Sequence, residues 1–320
     1  MARFVARRLA HALLVILIVT FGTSFLLHLS PGDPAFAILG DSATPAAIKQ
    51  VHKTLNLDEP FYTRYVDWIG QVAQGDFGTS QQTQEKVSDS ITERLPVTFE
   101  VIVLALLMAL GVSIPVAVYS AYRADGRFDR FSRATTSVVV STPPFVSALL
   151  VVFVLALQLR NFPIHFPALG WVDISKGLLD NLWYAFLPSL TLALVVVPFF
   201  LRVLRADMIA TLQSDFILTA RAKGLPNRRI LFRHALRPSL FSLVTLAALS
   251  VGSLIGAGII VESLFNLPGL GQLLIQSVLN KDLVVVQGLV MFIALLYIVL
   301  NSFTDLAYGF LDPRTRSSHA

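Results

Sequence analysis

The sequence predicts an all-α polytopic membrane protein with six transmembrane helices and a small extracytoplasmic insertion between helices 1 and 2. Hydrophobic residues make up 55% of the 320 residues and charged residues only 14%, whereas soluble domains carry about 25% charged residues. Apolar runs of about 20 residues, the length at which a helix crosses a bilayer, recur along the chain. Basic residues cluster in the short segments that separate those runs.

The apolar runs give the six predicted spans. They cover residues 9–29, 97–119, 134–159, 182–201, 241–261 and 284–306. The first run could instead be a signal peptide, but the apolar core of a signal peptide is about 7–15 residues long and ends at a small-residue cleavage site. This run is longer, so we predict an uncleaved transmembrane helix.

Residues 30–95 form the one long polar segment of the chain. Within it we predict a short helix over 44–55 and an amphipathic helix over 61–74. The apolar positions of the second helix are Phe61, Tyr65, Trp68, Ile69 and Val72. We predict a small domain whose apolar face packs on the membrane core; the alternative is that these aromatic residues lie at the membrane interface.

The distribution of basic residues predicts the orientation, because Lys and Arg are enriched in short cytoplasmic loops. With the N-terminus inside, the cytoplasmic segments hold 17 of the 25 Lys and Arg residues. We therefore expect both termini in the cytoplasm and the long polar segment outside. The predicted parts are the N-terminus with helix 1 (1–29), an extracytoplasmic domain (30–95), a membrane core (96–308) with a cytoplasmic loop (205–238), and a cytoplasmic tail (309–320).

Sequence motifs for catalysis or metal binding are missing. No Gly is followed by Lys, which excludes a P-loop, and there is no His-Glu-x-x-His pattern. The six histidines are scattered, and the chain has no cysteine, which excludes disulfides and thiolate metal sites. We predict no catalytic residue, no metal site and no nucleic-acid partner. An intramembrane enzyme stays open as an alternative, since an active site can be assembled from distant helices.

Three acidic residues, Glu100, Glu262 and Asp305, lie at or near the ends of apolar runs. At such positions a carboxylate can reach water or lipid headgroups, which is the simpler interpretation. The alternative is that one of them lines a pathway, because a charge inside a bilayer marks a functional site by default.

Proline and small residues within the spans are the better candidates for a pathway or gate. Proline removes a backbone hydrogen bond and kinks a helix, and a small-xxx-small face lets helices approach closely. The candidates are Pro143, Pro144, Gly252, Ser253, Gly256 and Gly258. The alternative is that these residues serve packing alone.

One basic, helix-prone stretch, Asp215–Leu240, lies between two very apolar segments. Gly224 has the backbone freedom for a sharp turn, and Pro226 stands where a second helix can begin. We predict a helix, a turn at Gly224-Leu225-Pro226 and a second helix. The stretch has no catalytic signature, so we interpret it as a docking surface.

The residues around this turn carry a family resemblance. Thr219-Ala-Arg-Ala-Lys-Gly224, followed by Arg233-His-Ala-Leu-Arg237, resembles the coupling loop, or EAA motif, of ABC importer permeases, in the form used by the peptide-permease branch. Leu218-Thr219-Ala220 stands where the general pattern has Glu-Ala-Ala. Further segments resemble the B-type subunit of that branch: Pro31-Gly-Asp-Pro34, Leu55-Asn-Leu-Asp-Glu-Pro60, Gly75-Asp-Phe-Gly78, Arg94-Leu-Pro-Val-Thr-Phe-Glu100, Leu267-Pro-Gly-Leu-Gly271 and Leu311-Asp-Pro-Arg314. The resemblance runs essentially end to end.

The resemblance implies a type I importer fold in a bacterial plasma (inner) membrane, with the cytoplasmic helix docked on an ATPase. The implied partners are a homologous second permease subunit, two cytoplasmic ABC ATPase subunits or domains, an extracytoplasmic substrate-binding protein, membrane lipid and a di- or oligopeptide substrate. ATP and Mg would be bound by the ATPases, and no cofactor by this chain. The implied coupling residues are Thr219, Ala220, Arg221, Ala222, Lys223, Gly224, Leu225, Arg228 and Arg229. For the basic residues the alternative is a solvated rim that faces lipid.

Other functions remain as alternatives. The same importer type also carries nickel, glutathione or other small solutes. A stand-alone channel or secondary carrier would predict charges in the middle of spans or internal repeats, and the sequence shows neither.

Overall fold

The computed structural model describes residues 2–29, 33–40, 43–54, 56–158 and 166–311. The regular structure in these residues is helical, apart from an isolated antiparallel bridge between Thr79 and Lys86. The chain divides into two compact units. The first unit is Met1–Pro96 with Pro268–Val299, and the second is Val97–Leu267 with Leu300–Ala320.

The helices follow one another along the whole described chain. In order they are α1 (Ala2–Leu29), α2 (Pro34–Leu39), α3 (Pro45–Thr54), α4 (Phe61–Ala73), α5 (Val87–Tyr122), α6 (Arg127–Ser141), α7 (Pro144–Val151), α8 (Leu178–Leu212), α9 (Asp215–Ala222), α10 (Asn227–Arg229), α11 (Leu236–Phe265), α12 (Leu270–Leu279) and α13 (Leu283–Leu311). A π-helical segment, Ile230–Ala235, joins α10 to α11, so that Asn227–Phe265 is one continuous helix.

The predicted fold class, an all-α polytopic membrane protein, is confirmed. Within the described residues, five helices are long and apolar enough to cross a membrane. They are Ala10–Leu29, Val87–Tyr122, Leu178–Leu212, Asn227–Phe265 and Leu283–Ser302. Several extend well beyond the predicted spans. The 35 residues of α8 correspond to about 50 Å of helix, longer than the hydrocarbon core of about 30 Å, so its ends must reach beyond the lipid tails.

The third predicted span, 134–159, is not one straight helix. The chain forms two helices, Arg127–Ser141 and Pro144–Leu157, which are bent by 110° at the break between them. The sequence expectation of six spans therefore holds only if this bent pair counts as one. The bend follows from Pro143 and Pro144, because a residue before proline is driven out of the helical region. Thr142 (φ −94°, ψ 123°) and Pro143 (φ −58°, ψ 144°) are both extended.

In the first unit, the apolar face of α4 packs against other helices. Trp68, only 7% exposed, packs with Ile16 of α1 and Met291 of α13. The hydroxyls of Tyr65 and Thr20 lie 2.9 Å apart, which ties α4 to α1 by a polar contact as well. The predicted amphipathic helix is confirmed, and its apolar residues lie inside this unit.

The loop that precedes α5 is fixed by a buried carboxylate. Asp282, 3% exposed, accepts a hydrogen bond from the Ser80 hydroxyl at 2.5 Å. Its other oxygen accepts from the backbone N–H groups of Gln81 and Val285. Because Asp282 directly precedes α13, these bonds hold the loop against the start of that helix.

In the second unit, α8 is the central helix. It packs against α6, α7 and α11. Its fully buried large side chains are Leu187, Leu192, Phe200, Leu204 and Met208. Pro188 and Pro198 lie inside this helix, where proline removes a backbone hydrogen bond.

A histidine between two carboxylates connects the short helices of the first unit. His52 Nε2 lies 2.7 Å from Asp33 Oδ2, and Nδ1 lies 2.9 Å from Asp58 Oδ1. Only the imidazolium form can donate from both ring nitrogens. The hydrogen bonds to Asp58 and to Asp33 raise the pKa of His52 above its ordinary value of 6.5. Burial raises the pKa of Asp33, but hydrogen bonds from the Ala35 N–H and from His52 outweigh it and leave the pKa lowered.

We expect this contact to weaken as the pH rises above 6.5. Because the pKa of His52 is raised in the folded state, its contribution to stability is fully present below the unfolded-state value and is lost as the pH rises through the folded-state value. Hydrogen exchange of the α3 amides, corrected for intrinsic rates from about pH 6 to about pH 9, should show protection falling with pH. His52→Gln should give low protection throughout. Wild-type protection that does not change with pH would contradict the expectation.

Candidate functional site

The candidate site is the segment Ser214–Arg229, which we call the coupling segment. It begins two residues after the end of α8 and contains the short helix α9. Gly224 then reverses the chain, and Pro226 precedes the continuous helix that starts at Asn227. The predicted order of helix, turn and helix is confirmed.

A small apolar core holds α9 in place from behind. Ile217 (0% exposed) and Ala220 (7%) pack against Ile230 (2%), with Leu212 and Leu225 at the edges. Ile217 and Ala220 are three positions apart and therefore share one face of the helix. The core joins the end of α8 to the start of the following helix, so α9 is attached to two long helices.

The opposite face of α9 and the turn is exposed. The predicted coupling residues found there are Thr219, Arg221, Ala222, Lys223, Gly224, Arg228 and Arg229. Ala220, by contrast, lies in the small core, and Leu225 is half-buried at its edge. These two predicted residues hold the segment together and do not present their side chains on the surface.

Two exposed apolar side chains on opposite flanks of α9 were not among the predicted residues. Phe216 is 52% exposed and Leu218 is 54% exposed. The pattern around them contained part of the signal: once Ile217 and Ala220 face inward, positions 218, 219 and 222 lie on the outward side of the helix, and position 216 lies on its flank. The surface of the coupling segment is therefore apolar as well as basic.

Gly224 makes the turn in a conformation that favours glycine. Its φ is +73°, in the left-handed region that is costly for residues with a Cβ. Its N–H donates to the carbonyl of Arg221 at 2.9 Å, and the Leu225 N–H donates to the carbonyl of Ala220 at 3.2 Å. In the part of the chain that the structure describes, no heavy atom beyond the chain neighbours lies within 4 Å of a Cβ placed at Gly224. The requirement for glycine therefore comes from the backbone and not from crowding.

Two polar contacts fasten the helix that follows the turn to neighbouring helices. Asn227 Nδ2 donates to the Tyr122 hydroxyl, at the end of α5, at 3.3 Å. The hydroxyls of Thr211 in α8 and Ser239 in α11 lie 3.3 Å apart. These contacts place the helix that follows the turn next to α5 and α8.

A shallow concavity adjoins the turn. It has a volume of about 680 Å³ and is lined by Pro226, Arg228, Arg229, Phe232, Arg233, Arg237 and Leu240. Four arginines around an apolar floor suit an acidic protein surface or anionic headgroups. The concavity is therefore suited to docking of a partner surface.

A buried ion pair fixes the first turn of α6 to α8. The side chain of Asp129 is 0% exposed and that of Arg205 is 17% exposed. Arg205 donates from Nη2 to Asp129 Oδ2 at 2.7 Å and from Nε to Oδ1. Oδ2 also accepts from the backbone N–H of Asp125 at 3.0 Å. This bidentate pair stands two turns before the end of α8, close in sequence to the coupling segment.

The predicted pathway residues occupy two different places. Pro143 and Pro144 form the break between α6 and α7. On α11, Ser253 and Gly256 are exposed, Gly252 is half-buried and Gly258 is buried. No heavy atom of the described chain lies within 4 Å of a Cβ placed at Gly256. That part of the small-residue face is therefore not used for close helix packing inside the described chain.

The acidic residues at the span ends differ in how deeply their side chains are buried. Glu262 is only 2% exposed, so the expectation that it reaches water is wrong; the packing of the last turn of α11 encloses it. Glu100 is half-buried, with one carboxylate oxygen buried without a hydrogen-bond partner. The side chain of Asp305 lies outside the described residues. Among the described residues, no group of three or more His, Cys, Asp or Glu could hold a metal ion.

These features, a helical polytopic core with an exposed turn segment, are consistent with a multi-pass membrane permease. Residues 113–317 match the family of binding-protein-dependent transport system inner membrane components. Residues 1–102 match the N-terminal region of the membrane components of such systems. The chain belongs to the binding-protein-dependent transport system inner membrane component family.

Named relatives match over nearly their entire length. A Brucella abortus protein with the provisional name of peptide transport system permease is 36% identical over 316 residues, covering 99% of each chain. The oligopeptide transport system permease AppB of Bacillus subtilis is 32% identical over 315 residues, covering 98% of this chain and 99% of the relative. The dipeptide transport system permease DppB of Alkalihalophilus pseudofirmus is 30% identical over 332 residues, covering 99% and 100%.

We predict that Asp129→Asn destabilises the protein by about 3 kcal/mol or more, because removal of one partner leaves the other charge buried and uncompensated. Unfolding of the purified protein in detergent, followed by heat or denaturant, measures this loss. The matched control is Asp125→Asn: Asp125 is 84% exposed and lies 3.4 Å from Arg133, and an exposed pair contributes about 0–1 kcal/mol.

A second variant tests whether the loss of stability comes from the unpaired charge of Arg205 or from disturbed packing around position 129. Asp129→Asn combined with Arg205→Met removes both charges, and we expect it to be more stable than Asp129→Asn alone. If the double variant and the single variant unfold alike, the buried charge is not the cause.

Proposed function

We propose that this chain is the membrane-spanning permease subunit of an ATP-driven importer for di- or oligopeptides and forms half of the translocation pathway. The observation that carries the proposal is the coupling segment, a short helix held from behind by Ile217, Ala220 and Ile230 with an exposed apolar and basic face. The relatives named for dipeptide and oligopeptide transport match over at least 98% of this chain, which supports a peptide as cargo.

The coupling segment supports a mechanical role. The exposed part of α9 suits a groove on an ATPase that encloses the helix from both flanks, with Phe216 on one flank and Leu218 on the other as apolar anchors. Movement of the ATPases would displace α9, and the small core would pass this displacement to both long helices. The membrane helices would then rock between outward-open and inward-open states as rigid bodies.

The partners follow in part from the family, since a binding-protein-dependent system implies an ATPase and a substrate-binding partner. We propose that the assembled importer contains a homologous second permease subunit, two cytoplasmic ATPase subunits or domains, and an extracytoplasmic binding protein. ATP and Mg are assigned to the ATPases, because the sequence has no Gly-Lys pair of a P-loop. In this proposal the chain is a non-catalytic subunit and binds no cofactor of its own.

The open face around Ser253 and Gly256 supports the second permease subunit. Small residues allow close approach of helices in a membrane, and nothing within the described chain fills the space beside Gly256. A helix of a homologous subunit would fit this face and complete a pathway between the two subunits.

The proposed orientation has both termini in the cytoplasm. The coupling segment and its Arg-lined concavity then face the ATPases, in accordance with the enrichment of basic residues on the inner side. Residues 30–95 face outward, where a substrate-binding protein would dock.

The alternatives are less well supported. Nickel, glutathione or another small solute would need the same coupling device, but the relatives named above carry peptide names. A stand-alone channel or secondary carrier gives no reason for an exposed docking helix. An intramembrane enzyme needs a catalytic group, and the sequence offers no recognisable set.

The proposed docking face can be tested by capture of the ATPase. We expect Phe216→Ser with Leu218→Ser to reduce co-purification of the cognate ATPase by about tenfold or more, since apolar anchors contribute most of an interface energy. The matched control is Val66→Ser, because Val66 is 65% exposed on α4 in the first unit, on the side proposed to face outward. Equal capture by both variants would contradict docking through α9.

Gly224→Pro should uncouple transport from ATP hydrolysis while membrane insertion stays normal. Proline fixes φ near −65°, which is incompatible with φ +73°, and it removes the N–H that bonds to Arg221. Peptide uptake and peptide-stimulated ATPase activity of the reconstituted importer measure the effect. Gly224→Asn is the control, because Asn tolerates the left-handed region, and it should retain most of the activity. Normal transport by Gly224→Pro would overturn the role given to this turn.

A further inference from the structure

The helix α6 has an exposed apolar stripe that its packing on α8 does not cover. Asp129 and Ser132 are buried and lie on the side of α6 that faces α8. Phe131 (70% exposed) and Val138 (67%) lie on a different side, together with the less exposed Phe128. These three positions are three and seven residues apart, so their side chains follow one line along the helix.

Two exposed arginines border this stripe. Arg127 and Arg130 are three positions apart and lie on the side of α6 opposite Ser132. Among the described residues, the ion pairs around α6 join Asp129 to Arg205 and Arg133, and Asp125 to Arg133. Arg127 and Arg130 take part in none of these pairs, so their charges are available to an anionic partner.

Two contacts place the first turn of α6 at the edge of the membrane. The ring of Phe128 packs edge-on against Tyr119, with the centroids 4.8 Å apart, and Tyr119 is the last residue of the apolar run 97–119. Asp129 bonds to Arg205, which stands four residues beyond the apolar run 182–201. Tyrosine is enriched at the boundary between lipid and water, and arginine on its cytoplasmic side.

The two helices of the bent pair differ in composition. Four of the first seven residues of α6 are charged, and five of its 15 residues are Ser or Thr. Pro144–Leu157 has no charged residue, and its first part, α7, packs against the long helices α8 and α11. The second helix is therefore suited to the hydrocarbon core. By contrast, α6 is about 22 Å long, shorter than the core and too polar for it.

The bend between the two helices sets the direction of α6. The angle is 110°, about 20° more than a right angle. If Pro144–Leu157 follows the membrane normal, α6 lies within about 20° of the membrane plane. The apolar stripe can then face the lipid tails while Arg127 and Arg130 lie at the level of the headgroups, which is the arrangement of an interfacial amphipathic helix.

We propose that α6 lies along the membrane surface and binds anionic phospholipid headgroups. Phe128, Phe131 and Val138 insert at the lipid boundary, and the guanidinium groups of Arg127 and Arg130 bind phosphate. The membrane crossing in this part of the chain then begins at Pro144. The assignment to the inner leaflet rests on the proposed orientation of the chain, whereas the position of α6 in the membrane plane does not.

A depth measurement tests the direction of α6, and the absence of cysteine from the chain permits single spin labels. Phe131→Cys, Thr135→Cys and Val138→Cys each carry a nitroxide in the full chain, in nanodiscs of phosphatidylcholine with phosphatidylglycerol. Collisions with oxygen and with a water-soluble nickel complex report the depth of each label. We expect the three depths to agree within about 4 Å, whereas a helix that crosses the membrane would spread them over about 10 Å. The control pair is Leu107→Cys and Val112→Cys, both exposed on α5, whose depths should differ by about 7 Å.

A second measurement tests the headgroup. Ala134→Cys carries a fluorophore beside the two arginines, and its quenching by phosphatidylglycerol with brominated acyl chains is compared with quenching by brominated phosphatidylcholine. We expect phosphatidylglycerol to be preferred by about fivefold or more, with the preference falling as salt is added. Arg127→Gln with Arg130→Gln should abolish the preference. The matched control, Lys49→Gln with Lys53→Gln, removes the same charge from exposed positions of the first unit and should retain it.

Four outcomes would overturn the proposal. Depths that change steadily from position 131 to position 138 mean that α6 crosses the membrane. Labels reached by nickel but not enriched in oxygen place the stripe in water, and labels shielded from both in the importer assembled with its partner subunits assign the stripe to a protein contact. Equal quenching by the two lipids, or a preference that survives the loss of both arginines, means that α6 does not select anionic headgroups.

These measurements are independent of the proposed transport function. Depth and lipid contact are measured on the chain without ATP or peptide, so their failure leaves coupling through Gly224 untouched. Conversely, failure of peptide uptake in the assembled importer leaves the depth of α6 and its lipid preference standing.

Discussion

A backbone that crosses lipid has no water to satisfy its N–H and C=O groups, so each crossing must be helical. The long helices of this chain obey that constraint, and its functional features occur where a helix stops. The break at Pro143 and Pro144 turns the chain by 110°. The coupling segment occupies the interval between the end of α8 and the helix that begins at Asn227. At each of these interruptions, local hydrogen bonds satisfy backbone N–H and C=O groups.

The coupling segment shows how such an interruption is stabilised. Capping bonds around Gly224 satisfy the end of α9, and the core of Ile217, Ala220 and Ile230 provides the apolar burial. The pair Asp129–Arg205 adds a charged anchor in the same unit. A buried pair contributes little net stability compared with an apolar replacement, but it tolerates only one arrangement of its partners. It thereby defines the position of α8 relative to the start of α6.

Much of this arrangement could be predicted from the sequence. The composition and the length of the apolar runs predicted the helical membrane core. The Gly-Leu-Pro tripeptide at 224–226 predicted the turn. The proline pair at 143–144 indicated a kink, but the bend angle depends on where α7 packs against α8. The inward position of Ala220 depends on Ile230 across the turn, which no local pattern around Ala220 reveals.

Long-range pairing and cavities were the least predictable features. Asp129 makes its bidentate hydrogen bonds to Arg205, 76 positions away, although Arg133, four positions along α6, also contacts it at 3.5 Å. A cavity beside Trp68 draws its walls from both ends of the chain. The sequence pattern correctly assigned Trp68 to the apolar face of α4, but the cavity can be recognised only once the neighbouring helices are in place.

The attachment of α9 to Ile230 has a mechanical consequence. Ile230 is the fourth residue of a continuous helix of 39 residues, which at 1.5 Å per residue is a rod about 58 Å long. If such a rod tilts by about 5° around the end that carries Ile230, its far end moves by about 5 Å. A modest push on a two-turn helix would therefore be geometrically amplified at the opposite membrane surface, with no change in the internal hydrogen bonds of the rod.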